Sequence, residues 1–374
     1  MARVVKYIDS DVYTEAKKRI KHIIDTFDNV LVCFSGGKDS LVVLSLVEEC
    51  YKEMGINEKI KVVFRDEELI PDDVINFVRE KAESGKYDFR YYAITLESEK
   101  FIMGKNYKYV QWDKDREHLR QPPEYAITLP ADEYRVYDQY TADEFICKDV
   151  KGKVAMLTGI RAVESLFRLR ACKSKINECY ISATKSPRIK LCKPIYDWVE
   201  DDVFLYFFKT GIRYCPIYDV QMLNRENLRV STPLHAESSK RFSKIRTRYP
   251  QFYEQLIKLF PEMLVQERYW SQFYTSTDLG DYEHSFDGAR QFCRDTITDP
   301  VKLRQALHAV NSAERTRTNN VAKGRYLPFG GYPLRRVFMY INNGTYKRGV
   351  FQPDGPDRIN KRDYDFEGLK YEKK

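Results

Sequence analysis

The chain has 374 residues, 43% of them hydrophobic and 32% charged, long enough to bury one large core or two ordinary ones. No apolar run approaches the roughly 20 residues that cross a bilayer, and the N-terminal MARVVKYIDSDVYTEAKKRIKH lacks the apolar stretch of a signal peptide. These features exclude helical membrane spans and lead to the expectation of a cytoplasmic, soluble protein. The formal charge of +8 is uneven, because residues 301–374 hold 16 Lys and Arg against 7 Asp and Glu. A basic tail of that kind fits DNA or RNA as a partner, and it equally fits a solvated surface.

Apolar side chains at helical spacing predict an opening helix over 13–27. NVLVCF (29–34) predicts a buried strand, and LVVLSLVEECYKEM (41–54) the helix that follows a short turn. KIKVVFRDEE (59–68) predicts a strand ending in acids, PDDVINFVREKA (71–82) a helix with Pro at its start, and FRYYAITL (89–96) a third strand. Residues 97–150, rich in Tyr, Asp, Glu, Lys and Pro with weak periodicity, read as an insertion or lid. The pattern resumes with a strand at KVAMLTGI (153–160) and a charged helix at RAVESLFRLRA. Within 190–211 an apolar segment follows the acids Asp201 and Asp202, as a helix N-terminus prefers. AESSKRFSKIRTRY and QFYEQLIKLF predict helices reaching about residue 264, and RRVFMYINNGTYKRGVF predicts a hairpin turning at Asn343-Gly344. Alternating strands and helices imply an α/β fold: a doubly wound, mostly parallel sheet with ligands at the carboxyl ends of its strands and a helical and hairpin C-terminal extension. The expected domains are 1–220 for nucleotide binding, 221–300 as a helical extension and 301–374 as the basic segment.

The turn between the first strand and its helix is Ser-Gly-Gly-Lys-Asp-Ser, residues 35–40. Gly36 and Gly37 allow tight folding with consecutive N–H groups exposed, Ser35 and Ser40 add hydroxyls, and the next helix aims its positive end at the same point. Such a cup suits phosphate. Lys38 would neutralise phosphate charge, and Asp39 suits a magnesium ion or the fixing of the loop. The GxxxxGK[ST] loop of ordinary nucleotide triphosphatases is absent.

This turn resembles the pyrophosphate loop of the adenine nucleotide alpha-hydrolases, which cleave nucleotides between the α- and β-phosphates. FRDEELIPDDVINFV, GIRAVESLFR and KPIYDWVEDDVFLYF narrow the resemblance to the phosphoadenosine phosphosulfate (PAPS) reductase-like branch over residues 29–220. QWDKDREHLRQPPEYAIT (111–128) and PLHAESSKRF (233–242) resemble the Ibr-type regulators of phages and mobile elements. The resemblance implies an enzyme that binds ATP or PAPS with magnesium and cleaves at the α-phosphate to activate a substrate, in sulfur transfer or nucleic-acid modification; a ParB-like partner belongs to the same expectation. A nucleotide-sensing regulator or co-activator without turnover is the alternative. The reductases' C-terminal Glu-Cys-Gly-Leu-His has no counterpart here, since Cys293 lies in QFCRD with no cysteine after it, so sulfite formation through that cysteine is not expected.

On this reading Ser35, Gly36, Gly37, Lys38, Asp39 and Ser40 bind the pyrophosphate, Asp66 and Glu67 meet magnesium or the ribose, and Gly159, Arg161 and Arg168 clamp phosphate or an anionic substrate. Lys38, Asp39 and Arg161 are the catalytic candidates, and Asp39 and Asp66 the metal candidates. Lys193 and Asp197 are expected to border the site, while Trp198, which follows the same stretch, fits a core position better than the site. Related phosphorothioation enzymes carry an iron–sulfur cluster, but the spacing of Cys172, Cys179, Cys192 and Cys215 argues against one. His22, His118, His235, His284 and His308 share no ligand spacing. In the basic segment, Arg325, Tyr326, Arg335, Arg336, Phe338, Tyr340, Tyr346, Lys347 and Arg348 interleave cations and rings, a pattern that binds nucleic acid when the rings stack on bases.

Overall fold

A computed structural model describes residues 9–130, 132–172, 178–224, 228–239, 242–275, 280–324 and 334–342. The chain divides into two compact units, one of Met1–Lys100, Lys108–Ser238 and Lys244–Leu259, the other of Phe101–Tyr107, Ser239–Ser243 and Phe260–Lys374. Among the described residues no helix is long and apolar enough to cross a membrane.

In chain order the elements are α1 (Val12–Thr26), β1 (Asn29–Cys33), α2 (Lys38–Glu53), β2 (Lys61–Arg65), α3 (Asp72–Glu83), β3 (Asp88–Tyr92), β4 (Leu96–Ile102), β5 (Lys105–Gln111), α4 (Gln139–Ile146), β6 (Val154–Leu157), α5 (Leu166–Cys172), β7 (Ile181–Ala183), β8 (Ile189–Cys192), α6 (Glu200–Thr210), α7 (Ile217–Leu223), α8 (Ala236–Ser239), α9 (Ser243–Arg248), α10 (Pro250–Leu259), α11 (Met263–Thr275), α12 (Phe286–Thr296), α13 (Pro300–Ala322) and α14 (Leu334–Asn342). A six-stranded sheet runs β3-β2-β1-β6-β8-β7. It is parallel throughout except for β7, which runs antiparallel to β8. The chain builds outward from β1 to β2 and β3, then returns to place β6 on the other side of β1, with Leu31 level with Met156. The switch point of the sheet therefore lies between the carboxyl ends of β1 and β6, where open α/β sheets bind ligands.

Strand alternation divides the core. Val30 and Val32 of β1, Val62 and Phe64 of β2, and Ala155 and Leu157 of β6 face a large cluster with the apolar sides of α1, α2, α3 and α6. Leu31, Val63, Val154 and Met156 pack on the other face against Ala142 and Ile146 of α4. Burial on both faces explains why the strands read as unbroken apolar runs.

The second unit has its own core, in which Ala289 and Cys293 of α12, Ala306, Val310 and Ala313 of α13, and Val337, Phe338 and Ile341 of α14 come together. This corrects the expected C-terminal hairpin: residues 334–342 are helical, and Phe338 is fully buried with its ring edge-on to His284, so it is not a base-stacking ring. The Asn343-Gly344 turn, Arg325, Tyr326, Tyr346, Lys347, Arg348 and the side chains of Arg335 and Arg336 lie outside the described residues.

Candidate functional site

The turn after β1 is shaped by close approach. Gly36 has φ +74°, and a Cβ there would stand 2.9 Å from Val74 Cγ1 and Val78 Cγ2 of α3. A Cβ on Gly37 would lie 3.0 Å from Val230 Cγ2 and 3.1 Å from the Tyr218 hydroxyl. Gly159, after β6, would bring a Cβ within 2.6 Å of the Asp39 carbonyl carbon and the Ser40 nitrogen. The loop after β6 thus meets the first turn of α2 backbone to backbone at the switch point, an approach that leaves no room for a Cβ at Gly159.

The serines brace this turn from within. Ser40 Oγ donates to Gly37 O (2.9 Å) and accepts from Ser35 N (3.1 Å). Its proton being committed, the 3.0 Å contact between the two hydroxyls is donated by Ser35, whose oxygen accepts weakly from Gly37 N at 3.4 Å. Both hydroxyls, expected to meet phosphate, hold the shape of the loop in this structure.

Lys38 is buried, its ammonium 3.0 Å from Asp39 Oδ2, 3.4 Å from Leu228 O and 3.6 Å from Glu200 Oε1. Its backbone N–H donates to the Tyr218 hydroxyl at 2.8 Å. Asp39 carries a second cation: Arg161 Nε lies 2.7 Å from Asp39 Oδ1. Those two atoms are close but poorly aligned, and both are buried without a hydrogen-bond partner. Buried polar groups left in that condition cost free energy; the Arg161 Nε donor is open to an anion's acceptor, and Asp39 Oδ1 to a donor or a cation. Glu164 accepts from Arg161 N at 3.3 Å and pairs with Arg168. Burial, and next to it the charge of Arg229, hold the Arg168 guanidinium below its ordinary range. The side chain of Arg170 lies outside the described residues.

The acids at the end of β2 have a different setting. Asp66 is buried, and its Oδ1 accepts from Glu68 N (2.8 Å) and from Arg120, while Tyr91 donates to Oδ2. Burial raises its pKa, with Arg120 and Tyr91 opposing. Glu68, fully buried at φ +63°, accepts from Trp112 N (2.7 Å) and from Arg116 Nη1 (2.9 Å). Trp112 Nε1 donates to Asp66 O at 2.8 Å. Segment 112–120 is thereby strapped to the end of β2, and the oxygens of Asp66 are taken up inside the protein, so the expected magnesium role for Asp66 finds no support in this geometry. Glu67 accepts from Thr232 N at 3.4 Å. Among the described residues no three His, Cys, Asp or Glu gather as metal ligands.

Lys193, Asp197 and Trp198 knit elements together. Asp197 takes Arg19 of α1 in a two-pronged pair (2.8 and 2.7 Å), Lys193 Nζ donates to Ser182 Oγ (2.6 Å), and the buried Trp198 donates to Val12 O (3.0 Å). Asp202 caps α6 through Val199 N at 2.8 Å, as expected of an acid there. Cys172, Cys192 and Cys215 are buried, whereas Cys179 is exposed. The structure therefore brings Ser35, Gly36, Gly37, Lys38, Asp39, Ser40, Gly159, Arg161 and Arg168 together, and keeps Asp66 engaged with its strap. Sequence reasoning missed Tyr218, Gln221 and Arg229, which arrive from some 180 to 190 residues away with no local signal, and Glu200, which lies within the KPIYDWVEDDVFLYF segment already singled out. Glu68, Arg116 and Arg120 lay inside segments already singled out.

A mostly parallel sheet with a glycine turn at its switch point defines the class: a doubly wound α/β protein. Within it the chain belongs to the phosphoadenosine phosphosulfate reductase domain family, whose model matches residues 29–285. It is similar to the uncharacterized protein YbdN of Escherichia coli (strain K12), 30% identical over 225 residues, a match covering 56% of this chain and 55% of that one. The chain thus spans about half the length of that curated relative. Among solved structures it is similar to Candida glabrata FMN adenylyltransferase bound to FAD and pyrophosphate (16% identity, TM-score 0.37, 58% of this chain and 64% of that one). It is also similar to PAPS reductase from Candida auris (13%, 0.30, 58% and 93%) and to the U34-tRNA thiolase NcsA of Methanococcus maripaludis with its [4Fe-4S] cluster (14%, 0.30, 70% and 82%).

Proposed function

We propose that this protein binds an adenine nucleotide, ATP or PAPS, over residues 35–40 and cleaves it at the α-phosphate to activate a substrate for sulfur transfer or nucleic-acid modification. The observation that carries the reading is the convergence of Lys38 and Arg161 on Asp39 in the first turn of α2, inside a cradle that side chains at Gly36, Gly37 or Gly159 would fill. Scission between the α- and β-phosphates builds negative charge on the departing pyrophosphate. A buried ammonium and a planar guanidinium fixed beside a helix N-terminus stabilise that charge, the phosphate competing with Asp39 for both. Magnesium, held by phosphates and usually one or two carboxylates, would find Asp39 here and would neutralise phosphate charge. Glu200 and Asp39 keep Lys38 in place, and Glu164 does the same for Arg161 and Arg168. Cys293 is fully buried in the second unit's core, and no sulfite-forming cysteine step is proposed.

Lys38→Ala is expected to lower pyrophosphate or adenosine phosphate release by about 100-fold or more, measured on ATP and on PAPS. Unchanged turnover would overturn the reading. Nucleotide binding by the wild type with no product from either nucleotide would instead favour a sensor, the co-activator role that the likeness to Ibr-type regulators implies.

A further inference from the structure

Asp66, Glu67 and Glu68 follow one another at the end of β2, and the two outer acids are taken by arginines, Asp66 by Arg120 and Glu68 by Arg116. Glu67 reaches elsewhere. Among the described residues its one hydrogen bond is long, Oε2 accepting from Thr232 N at 3.4 Å, and no Lys or Arg pairs with it.

A polar cluster from two other segments surrounds this carboxylate. Tyr109 and Gln111 stand two apart on β5, so they share one face of that strand, and both are buried. The Tyr109 hydroxyl lies beside Ser98, Gln111 and Thr232 within the field of Glu67, and burial pushes it up to about 12. Ser98 Oγ is in turn 3.2 Å from His235 Nε2. Glu67, Gln111 and His235 each belong to a run already singled out in the sequence, FRDEEL, QWDKDR and PLHAES. Gln111 is the unsatisfied member: it is 2% exposed, and its Oε1 is buried with no hydrogen-bond partner. An amide oxygen in that state costs free energy until a donor arrives. Thr232 is two residues from Val230, whose Cγ2 would stand 3.0 Å from a Cβ on Gly37, so the cluster adjoins the glycine turn.

The chemistry on offer is lopsided. One carboxylate lacks a counter-ion, one amide oxygen lacks a donor, and the groups beside them are the hydroxyls of Tyr109, Ser98 and Thr232. Such a set repels a phosphate and suits a cation carrying several N–H donors. Magnesium demands octahedral oxygens and keeps its waters, whereas an ammonium is satisfied by three acceptors.

We propose that Glu67 and Gln111 bind the ammonium of a primary amine, and that this amine is carried by the acceptor substrate. The second clause rests on the nucleotide reading above, and the first stands without it.

The test is saturation-transfer NMR on the full chain near neutral pH with ethylammonium, tetramethylammonium and ethanol as probes, for the wild type, Glu67→Gln and Gln111→Leu, with ATP titrated into each by calorimetry in magnesium buffer. The wild type should bind ethylammonium about 10-fold more tightly than tetramethylammonium, which has the charge but no N–H, or ethanol, which has no charge. Glu67→Gln should weaken ethylammonium by about 10-fold or more, and Gln111→Leu by about fivefold. No saturation of ethylammonium by the wild type, equal binding of the three probes, or unchanged binding in either variant overturns the proposal. Displacement of ethylammonium by magnesium also overturns it, by making Glu67 a metal ligand, as does a loss in Glu67→Gln confined to ATP, which gives the residue to the nucleotide. Ethylammonium binding without ATP heat from the wild type removes the nucleotide reading and leaves the amine site standing.

Discussion

Asp66 shows how one side chain can change meaning between sequence and structure. An acid at the end of a strand, next to a glycine turn, reads as a metal or ribose ligand, and its identity alone offers no way to see that Tyr91, Arg120 and the Glu68 amide would claim its oxygens. Burial holds its carboxyl above the ordinary 3.8. A carboxyl raised by folding keeps its proton better folded than unfolded, so its contribution to stability is fullest in acid and is lost as pH rises through the folded value. Asp66→Asn, which keeps an acceptor for Arg120 and a donor for Tyr91, should therefore make the thermal midpoint fall less steeply above about pH 4 than in the wild type. A steeper fall in the variant would refute that sign. Lys38 and Arg161 were legible because each sits in a recognisable run, Lys38 directly after Gly37 and Arg161 two residues after Gly159. Tyr218 and Arg229 were not, since nothing in the two residues' own neighbourhoods marks them until the chain folds.

The strap over 112–120 is the element whose role the sequence hid. Weak periodicity between 97 and 150 suited a lid, yet Glu68 reaches across 48 residues to pair with Arg116 and to cap Trp112 N. A fully buried carboxylate with a largely buried guanidinium is costly to break, because whichever charge remains has lost its partner and has no water. Glu68→Ala is expected to cost about 3–5 kcal/mol of unfolding free energy in a denaturant titration, and to open the Arg116 and Arg120 peptide bonds to trypsin. Wild-type stability and an uncut strap would mean that the pair contributes nothing. Among the elements with apolar runs, β1 was placed from sequence to within one residue, and β2, β6 and α2 to within about three. β7 and β8 were not, being 3 and 4 residues long, too short for any period to show. The C-terminal misreading has another cause: Val337, Phe338 and Ile341 stand at helical spacing, and the Asn-Gly after them outweighed that signal.

At the scale of the whole molecule, two hydrophobic cores serve two units, and the Gly-rich turn belongs to the first of them. The alternation of β and α segments predicted the first unit's mostly parallel sheet, although that sheet's strand order emerged only in the structure. It offered nothing comparable for the second, whose helices reveal their partners only in the packing of α12, α13 and α14. Phe338→Ala should remove about 3–5 kcal/mol from that second core, read as a shifted urea transition; an unshifted transition would show that the ring is not the packing centre described. The Asp39 bridge carries its own consequence for ligand affinity. Because this carboxylate already stands as the anion between two cations, an arriving phosphate displaces an internal occupant instead of filling bare positive space. The chain can keep strongly charged machinery folded while nothing is bound, and on the proposed function its grip on a nucleotide is correspondingly tempered, each new contact being measured against the one it replaces.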